Sequence, residues 1–385
     1  MTKVVHFIET LYQGGAETLV KDYALLLDKT KFDITILCIR RTDSPYETLL
    51  TTAGIKIIFV SDFFGSTKKF SGRLANKIAK ECGLYHLKVK KILNQIQPDI
   101  IHAHLSILRY LMFANTPYST KLFYTVHGEP ARYWDSSNPN SQKERKACSS
   151  LIQKHHMTLI ALHDKMQSEL NHRFSVQNTI TLNNGINFNR FKIQETREEI
   201  RKSLNIPEKC FLIGHVGRFI KEKNHSTIIN SFSELHKNNT NTHLLLVGSG
   251  ELKDSIISKI NSLGLTQSVT ILNSRTDIPR IMQSMDIFIF PSTSEGLGIV
   301  LIEAQKMGIP CVISSAIPEA AIVSNLVHRM SPNATDKEWA EQLQNFKVDS
   351  IKYNGIENWD MNIVIKKLEY IYQQAVSNNT NMIQQ

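Results

Sequence analysis

Short apolar runs alternate with amphipathic helical stretches along almost the whole chain, and this alternation constrains the fold more than any other feature. Strand-type runs stand at Val4–Ile8, Ile34–Ile39, Ile55–Val60, Ile100–Ala103, Leu122–Val126, Leu159–Leu162 and Thr179–Leu182. Helical patterns fill the gaps, at Ala16–Leu27, Ser44–Ala53, Gly72–Gln97, Ser106–Ala114, Ser141–Lys154 and Asp164–Arg173. Strands separated by helices do not pair as hairpins. They form a parallel sheet covered by helices on both faces. A ligand of such a sheet sits beyond the carboxyl ends of its strands.

The alternation breaks once. Asn183-Asn184-Gly185-Ile186-Asn187 is a turn signal, and Phe188–Glu195 is polar and strand-free. Thr196 and Glu199 then form a capping box for a short helix ending near Leu204. A second alternation follows, with strands at Phe211–Val216, His243–Val247, Val269–Leu272, Ile287–Pro291 and Pro310–Ser314. A chain of 385 residues is long for one core. The expected organisation is a first α/β domain over 1–187, a linker over 188–208 and a second α/β domain over 209–360. A long amphipathic helix at Asn362–Gln374 and a polar tail, Asn378–Gln385, close the chain.

Several function classes fall away on composition. No apolar run approaches the roughly 18–20 residues that span a bilayer, and Met1–Glu9 is too short and too soon acidic for a signal peptide. The five cysteines are scattered and form no CxxC pair, so neither a disulfide framework nor a zinc site is indicated, and a cytoplasmic location is expected. The net charge of +10 points to an anionic partner. Much of it lies in Ser66–Gln97, where Lys68, Lys69, Arg73, Lys77, Lys80, Lys88, Lys90 and Lys91 face a single acid, Glu81. Ile78, Leu84, Leu87, Ile92, Leu93 and Ile96 interleave with them. Such a segment suits an anionic membrane surface, and equally an ordinary solvated helix face. Nucleic acid is disfavoured, because no recognition motif appears.

The residues that can carry chemistry cluster after strands. Gly14-Gly15 follows the first strand and lets a ligand approach the backbone. His127 ends the strand at Leu122–Val126 and is followed by Gly128, a position from which a His can hydrogen-bond a hydroxyl or steady charge. His102 and His104 point the same way along one strand, but no carboxylate or Cys shares their spacing, so a structural or cleft-lining role is expected. Arg218 and Lys223 stand five apart after the Phe211–Val216 strand and can grip a diphosphate. Gly248-Ser249-Gly250 lacks the third glycine of the dinucleotide fingerprint, since Lys253 holds that place.

The densest stretch is Ser292–Pro310. Glu295 and Glu303 have seven residues between them, Gly296 and Gly298 follow the first, and Gly308 with Pro310 closes the helical pattern. A strand that turns through glycines into a helix offers N–H groups to an anion. On one helix rising 1.5 Å per residue the two carboxylates would lie about 12 Å apart, too far for the paired-carboxylate mechanism of a glycosidase.

Taken in order, Gly14-Gly15-Ala16-Glu17, His127-Gly128, Asn184-Gly185-Ile186, His215-Val216-Gly217-Arg218 with Lys223-Asn224, Val247-Gly248-Ser249-Gly250 and Glu295-Gly296-Leu297-Gly298 with Glu303 resemble the retaining nucleotide-sugar glycosyltransferases of the GT-B fold, family 4. The resemblance spans nearly the whole chain and is strongest to bacterial capsule and exopolysaccharide transferases. It implies two Rossmann-like domains facing a central cleft, with the final helix crossing back to the first domain. It implies a UDP-sugar donor held in the second domain, with a glycan or lipid-linked acceptor on the first, at the inner membrane face. Carried onto this sequence, Arg218 and Lys223 would hold the diphosphate, Glu303 the ribose, and Glu295 the sugar. N–H groups from Gly296, Leu297, Gly298 and Ile299 would cap the phosphates, and Arg275 would border the base. His127 would reach the donor sugar, and Gly14 and Gly15 the phosphates. No metal or other cofactor is implied. Many relatives carry two glycines where this chain has Ser314-Ser315-Ala316 before Pro318-Glu319, which narrows the subgroup. Two other classes compete: a non-catalytic subunit that binds acceptor or stabilises a partner, and a sugar-nucleotide epimerase of the same fold.

Overall fold

A computed structural model of the chain describes residues 1–135 and 137–380. The chain folds as two units, Met1–Gly185 together with the chain from Met361 onward, and Ile186–Asp360. Each carries its own sheet.

The first unit holds β1 (Thr2–Ile8), β2 (Phe32–Cys38), β3 (Lys56–Phe59), β4 (Ile100–His104), β5 (Lys121–Thr125), β6 (Thr158–Ala161) and β7 (Ile180–Thr181). They lie in the order β3-β2-β1-β4-β5-β6-β7, and every neighbouring pair is parallel. Helices cover both faces, so the central strands are buried throughout. All five residues of β4 are buried, as are Val4–Ile8 of β1. The second unit holds β8 (Phe211–Val216), β9 (Thr242–Val247), β10 (Val269–Leu272), β11 (Ile287–Phe290), β12 (Cys311–Ser314) and β13 (Val327–Met330). Their order is β10-β9-β8-β11-β12-β13, again all parallel. The strand order reverses between β1 and β4 in the first sheet and between β8 and β11 in the second, the places where open α/β sheets bind ligands.

The C-terminal helix, Met361–Thr380, packs back on the first unit, as the resemblance implied. Met361, Val364, Ile365, Leu368 and Tyr372 recur at helical spacing and enter the same core as Val4, Ile8, Tyr23 and Ile100. Of the expected polar tail, Asn378–Thr380 continue this helix, and residues 381–385 lie outside the described residues.

Three expectations need correction. The stretch expected as one helix over Gly72–Gln97 is two, Phe70–Glu81 and Leu84–Ile96, parted at Gly83, whose φ of 75° is left-handed. Residues 188–208 are not a loose linker but part of the second unit. The capping box forms as expected, with helix Arg197–Ser203 behind it. Arg201 on that helix is buried and donates to the carbonyls of Ser284, Glu208 and Cys210 and to Asp286 at 2.7 Å. Asp286 also accepts the Leu212 N–H at 2.7 Å, which ties the helix to the start of β8. Finally, the sequence reading ended before β13 and the helix Asp336–Asn345. Val-His-Arg-Met is only half apolar and carries little strand signal, while the helix is announced by an unread capping box, Thr335 with Glu338.

Candidate active site

In the second unit β8 and β11 lie side by side, Ile213 opposite Ile287. The loops that leave them therefore run together at the reversal point, and the Thr293 N–H donates to the Glu222 carbonyl at 2.9 Å. This brings Lys223, from one loop, onto Glu295, from the other. Their ammonium and carboxylate form an ion pair, with each side chain 14% exposed. The Lys223 ammonium also lies 4.9 Å from the centre of the Phe290 ring. Arg218 stands exposed at the start of the same loop, just beyond β8, and its guanidinium pairs with no described residue. Two residues assigned to different ends of a ligand thus hold each other here.

Gly296 and Leu297 are buried in the connection, and the helix begins at Ile299. Gly298 is its N-cap, with φ 84°, a left-handed conformation that a side chain would strain. A Cβ there would meet the Phe290 ring at 3.2 Å. Because the cap is a glycine, it offers no side chain to the first turn; the Leu301 N–H donates to the Gly298 carbonyl at 2.8 Å, and a helix N-terminus of this kind can receive an anion. Glu303 is the fifth residue of this helix and is half-buried. Glu295 precedes the helix instead of lying on it. The helical rise therefore does not set the separation of the two glutamates, and the 12 Å figure loses its basis.

Gly248 works as packing. A Cβ on it would fall 1.9 Å from the Gly217 carbonyl oxygen, so the β9 loop closes directly on the β8 loop. Arg275 forms a two-pronged bond to Asp277, at 2.7 and 2.8 Å, which holds the Asp277 carboxyl below its usual range.

In the first unit Gly15 opens helix Gly15–Leu26 with Gly14 as N-cap, directly beyond β1. His127 lies beyond β5, and strand alternation puts Phe123, Thr125 and His127 on one face. His127 Nε2 is 3.1 Å from His104 Nδ1, and His104 Nε2 is 3.3 Å from His6 Nδ1. Burial pushes His127 and His6 each down to about 3, and His102 and His104 well below the usual His range. These rings are neutral at ordinary pH. His6, His102 and His104 have ligating atoms within 4.8 Å of one another, the spacing of a metal triad. Their rings do not converge as ligands do. His102 and His104 stack at 4.3 Å, and both His102 nitrogens are taken, by Tyr372 at 2.6 Å and Thr125 at 2.7 Å. The cluster is hydrogen-bonded packing, in line with the structural role expected of His102 and His104.

Sequence reading gave no role to His6, Glu144 or His225, and named His215 only as part of the motif that ends at Arg218. His6 was detectable, since β1 and β4 neighbour each other and His6 pairs with His102 across them. His215 Nδ1–H donates to the Ile289 carbonyl, 2.9 Å away, and its ring meets that of His225 edge-on. Glu144 is buried against the Leu108 N–H at 2.9 Å, and burial raises its carboxyl to about 7. No motif announces it. It is one acid on a polar helix, Pro139–His155.

Comparison with known proteins bears on the family and the fold. Residues 196–358 match the family described as Glycosyl transferases group 1, and residues 13–190 match Glycosyltransferase Family 4. The capsular polysaccharide biosynthesis glycosyltransferase CapH of Staphylococcus aureus is 24% identical over 385 residues, covering 97% of this chain and 99% of its own. The UDP-Gal:alpha-D-GlcNAc-diphosphoundecaprenol alpha-1,3-galactosyltransferase of Escherichia coli is 25% identical over 333 residues, covering 84% and 82%. Among solved structures, Anabaena HepE in complex with UDP and glucose superposes with a TM-score of 0.70 at 20% identity, covering all of both chains.

Proposed function

Because the chain belongs to glycosyltransferase family 4, folds as GT-B enzymes do and has relatives in cell-surface polysaccharide synthesis, we propose that it transfers a hexose or N-acetylhexosamine from a UDP-sugar to a glycan or lipid-linked acceptor, with retention at the anomeric carbon. The observation that carries this reading is the meeting of Lys223 and Glu295 at the β8/β11 reversal, beside a helix capped only by Gly298.

The chemistry follows from the charges. Breaking the bond between sugar and diphosphate puts negative charge on the leaving group and positive charge on the sugar ring. Arg218, Lys223 and the N–H groups at Gly296–Ile299 stand where they can take the first. The Glu295 carboxylate favours the second. Lys223 can bridge Glu295 and a phosphate, so the ion pair arranges both groups before the donor arrives. Glu303 is assigned to the ribose hydroxyls and Arg275 to the rim of the base. Two cations and a helix terminus neutralise the diphosphate, and the proposed reaction therefore uses no metal. Gly14, Gly15 and His127 stand beyond the strand ends of the first unit, where a ligand of that sheet binds. We assign them to the phosphate and sugar end of the same donor. UDP is favoured over GDP by the UDP bound in Anabaena HepE and the UDP-Gal in the name of the Escherichia coli relative.

A lipid-linked acceptor fits the surface of helix Phe70–Glu81. Phe70, Leu74 and Ile78 recur every four residues on one side and are 75, 49 and 50% exposed. Lys69, Arg73 and Lys77 flank them, also exposed. An apolar stripe bordered by cations matches an anionic lipid surface, and we place the enzyme in the cytoplasm, in peripheral contact with the inner membrane face.

Native mass spectrometry and calorimetry with UDP, GDP, UDP-GlcNAc, UDP-Gal, UDP-Glc and GDP-Man test the reading. The expected outcome is UDP binding that Arg218→Ala weakens by roughly 10–100-fold, the worth of one charge-assisted contact. Equal failure of wild type and Arg218→Ala to bind any of these nucleotides overturns it. The anomeric configuration of the product, read by NMR, decides retention.

A further inference from the structure

His127, His104 and His6 form an unbroken chain of ring contacts running from a strand end into the core. The contacts are Nε2 to Nδ1 at 3.1 Å and Nε2 to Nδ1 at 3.3 Å. The chain ends at His6 Nε2, which is buried and has no partner. At its other end His127 is partly exposed, and no described residue bonds its Nδ1. His102 takes no part, since its nitrogens belong to Tyr372 and Thr125.

Three neutral imidazoles hold three protons, and each of the two contacts needs one. The third must lie at one end, so the chain has two polarities. In the inward one, His127 Nε2–H donates to His104, His104 Nε2–H donates to His6, and His6 Nε2–H is left as a buried donor with no acceptor. In the outward one, His6 Nδ1–H donates to His104, and His104 Nδ1–H donates to His127. The third proton then sits on His127 Nδ1, where water or a ligand accepts it. An unpaired buried N–H is a rarer defect in folded proteins than an under-satisfied acceptor. Outward polarity avoids it, leaving only a lone pair at His6 Nε2.

We propose that His6 and His104 are positioning residues for His127: their hydrogen-bond chain locks His127 as the Nδ1–H tautomer and presents that N–H as a donor to a hydroxyl oxygen of the sugar. The contact with sugar rests on the function proposed above; the tautomer does not. The chain also restrains the ring, because turning His127 over would break its bond to His104. His6, joined to His127 only through the His104 ring, thereby sets whether the site offers a donor or an acceptor.

The test uses the full chain with 15N-labelled histidine and no substrate. Long-range proton–nitrogen spectra report each tautomer, and His127→Asn identifies the His127 signals. The expected wild-type result is a protonated Nδ1 and an unprotonated Nε2 on His127. His104→Phe breaks the chain, and His6→Phe removes its source two rings away. Either should shift His127 toward the Nε2–H form. His6→Asn, whose amide can donate to His104, should restore it. A wild-type His127 protonated on Nε2, or a His127 signal unchanged in the Phe variants, overturns the proposal. The wild-type spectrum decides the polarity even where a variant fails to fold. No turnover is involved, so loss of the nucleotide-sugar reading would leave this result standing. Where transfer is measurable, His6→Phe should lower kcat about tenfold while UDP binding to the second unit is unchanged.

Discussion

Glu144→Gln isolates a charge that the fold buries at a cost. The Glu144 side chain is 2% exposed; it accepts the Leu108 N–H, and Arg109 Nε stands 3.6 Å away. Burial, opposed in part by Arg109 and by the backbone donors, raises its carboxyl from 4.5 to about 7. A carboxyl raised on folding contributes stability that is fully present below 4.5 and is lost as the pH rises through 7. Between pH 5 and pH 8 the linkage relation makes that loss about 2–3 kcal/mol. His6 has the opposite sign. Its pKa is lowered from 6.5 to about 3, so its contribution is lost as pH falls below 6.5, by about 2 kcal/mol at pH 5. His127 carries a term of the same sign as His6, so the wild type sums several terms and a variant is needed to isolate that of Glu144. Gln keeps an acceptor for the Leu108 N–H but does not titrate. The stability of Glu144→Gln minus that of the parent should therefore rise by about 2–3 kcal/mol from pH 5 to pH 8, whatever its offset. Urea melts at both pH values measure this. Trp134 is buried in the first unit, whereas Trp339 and Trp359 lie in the second. A background carrying Trp339→Phe and Trp359→Phe thus makes the fluorescence report the unit that contains Glu144. Curves that shift in parallel between the two pH values, or a difference that falls with pH, refute the reasoning.

Three further outcomes are expected. Arg201→Met takes the donor from three carbonyl groups, while Asp286 keeps Arg197 and the Leu212 N–H, and should cost about 1–3 kcal/mol in urea melts. Lys223→Met and Glu295→Gln should each lower kcat/KM for transfer by about 100–1,000-fold; Lys223→Met should also weaken UDP binding in calorimetry, and Glu295→Gln should not. Replacing Phe70, Leu74 and Ile78 together by Ser should abolish co-sedimentation with phosphatidylglycerol vesicles and leave hydrolysis of a soluble donor unchanged. Equal sedimentation of the parent with neutral and anionic vesicles would remove the membrane assignment.

The parallel sheets were readable because their cause is local. Val4–Ile8 or Ile287–Phe290 can do little but run as buried strands, and the helices between them dictate parallel order. The candidate site positions stand out for the same reason, as each follows a strand: Gly14, His127, Arg218, Glu295. What escaped depends on partners distant in sequence. Residues 188–208 look like a linker until Arg201 finds Asp286, 85 residues on. Glu295 looks helical until Gly298 takes the cap. The pairing of Lys223 with Glu295 spans 72 residues and follows only from β8 lying beside β11. His6 needed its register with His102, and Glu144 needed its burial, neither of which a single segment encodes.

The first unit is not contiguous in sequence. Its core takes Leu368 and Tyr372 from the C-terminal helix, and the Tyr372 hydroxyl holds His102 at the sheet's centre. The second unit, Ile186–Asp360, is one unbroken stretch. During synthesis the chain is made from the N-terminus onward, so the order of completion inverts the order of translation. The second unit has all its parts before the first does. The first sheet waits on the ribosome with its core open until residues 361–380 emerge to close it. A messenger truncated after codon 360 would yield a chain with an intact second unit and an unfinished first unit, the form most exposed to chaperones and proteases.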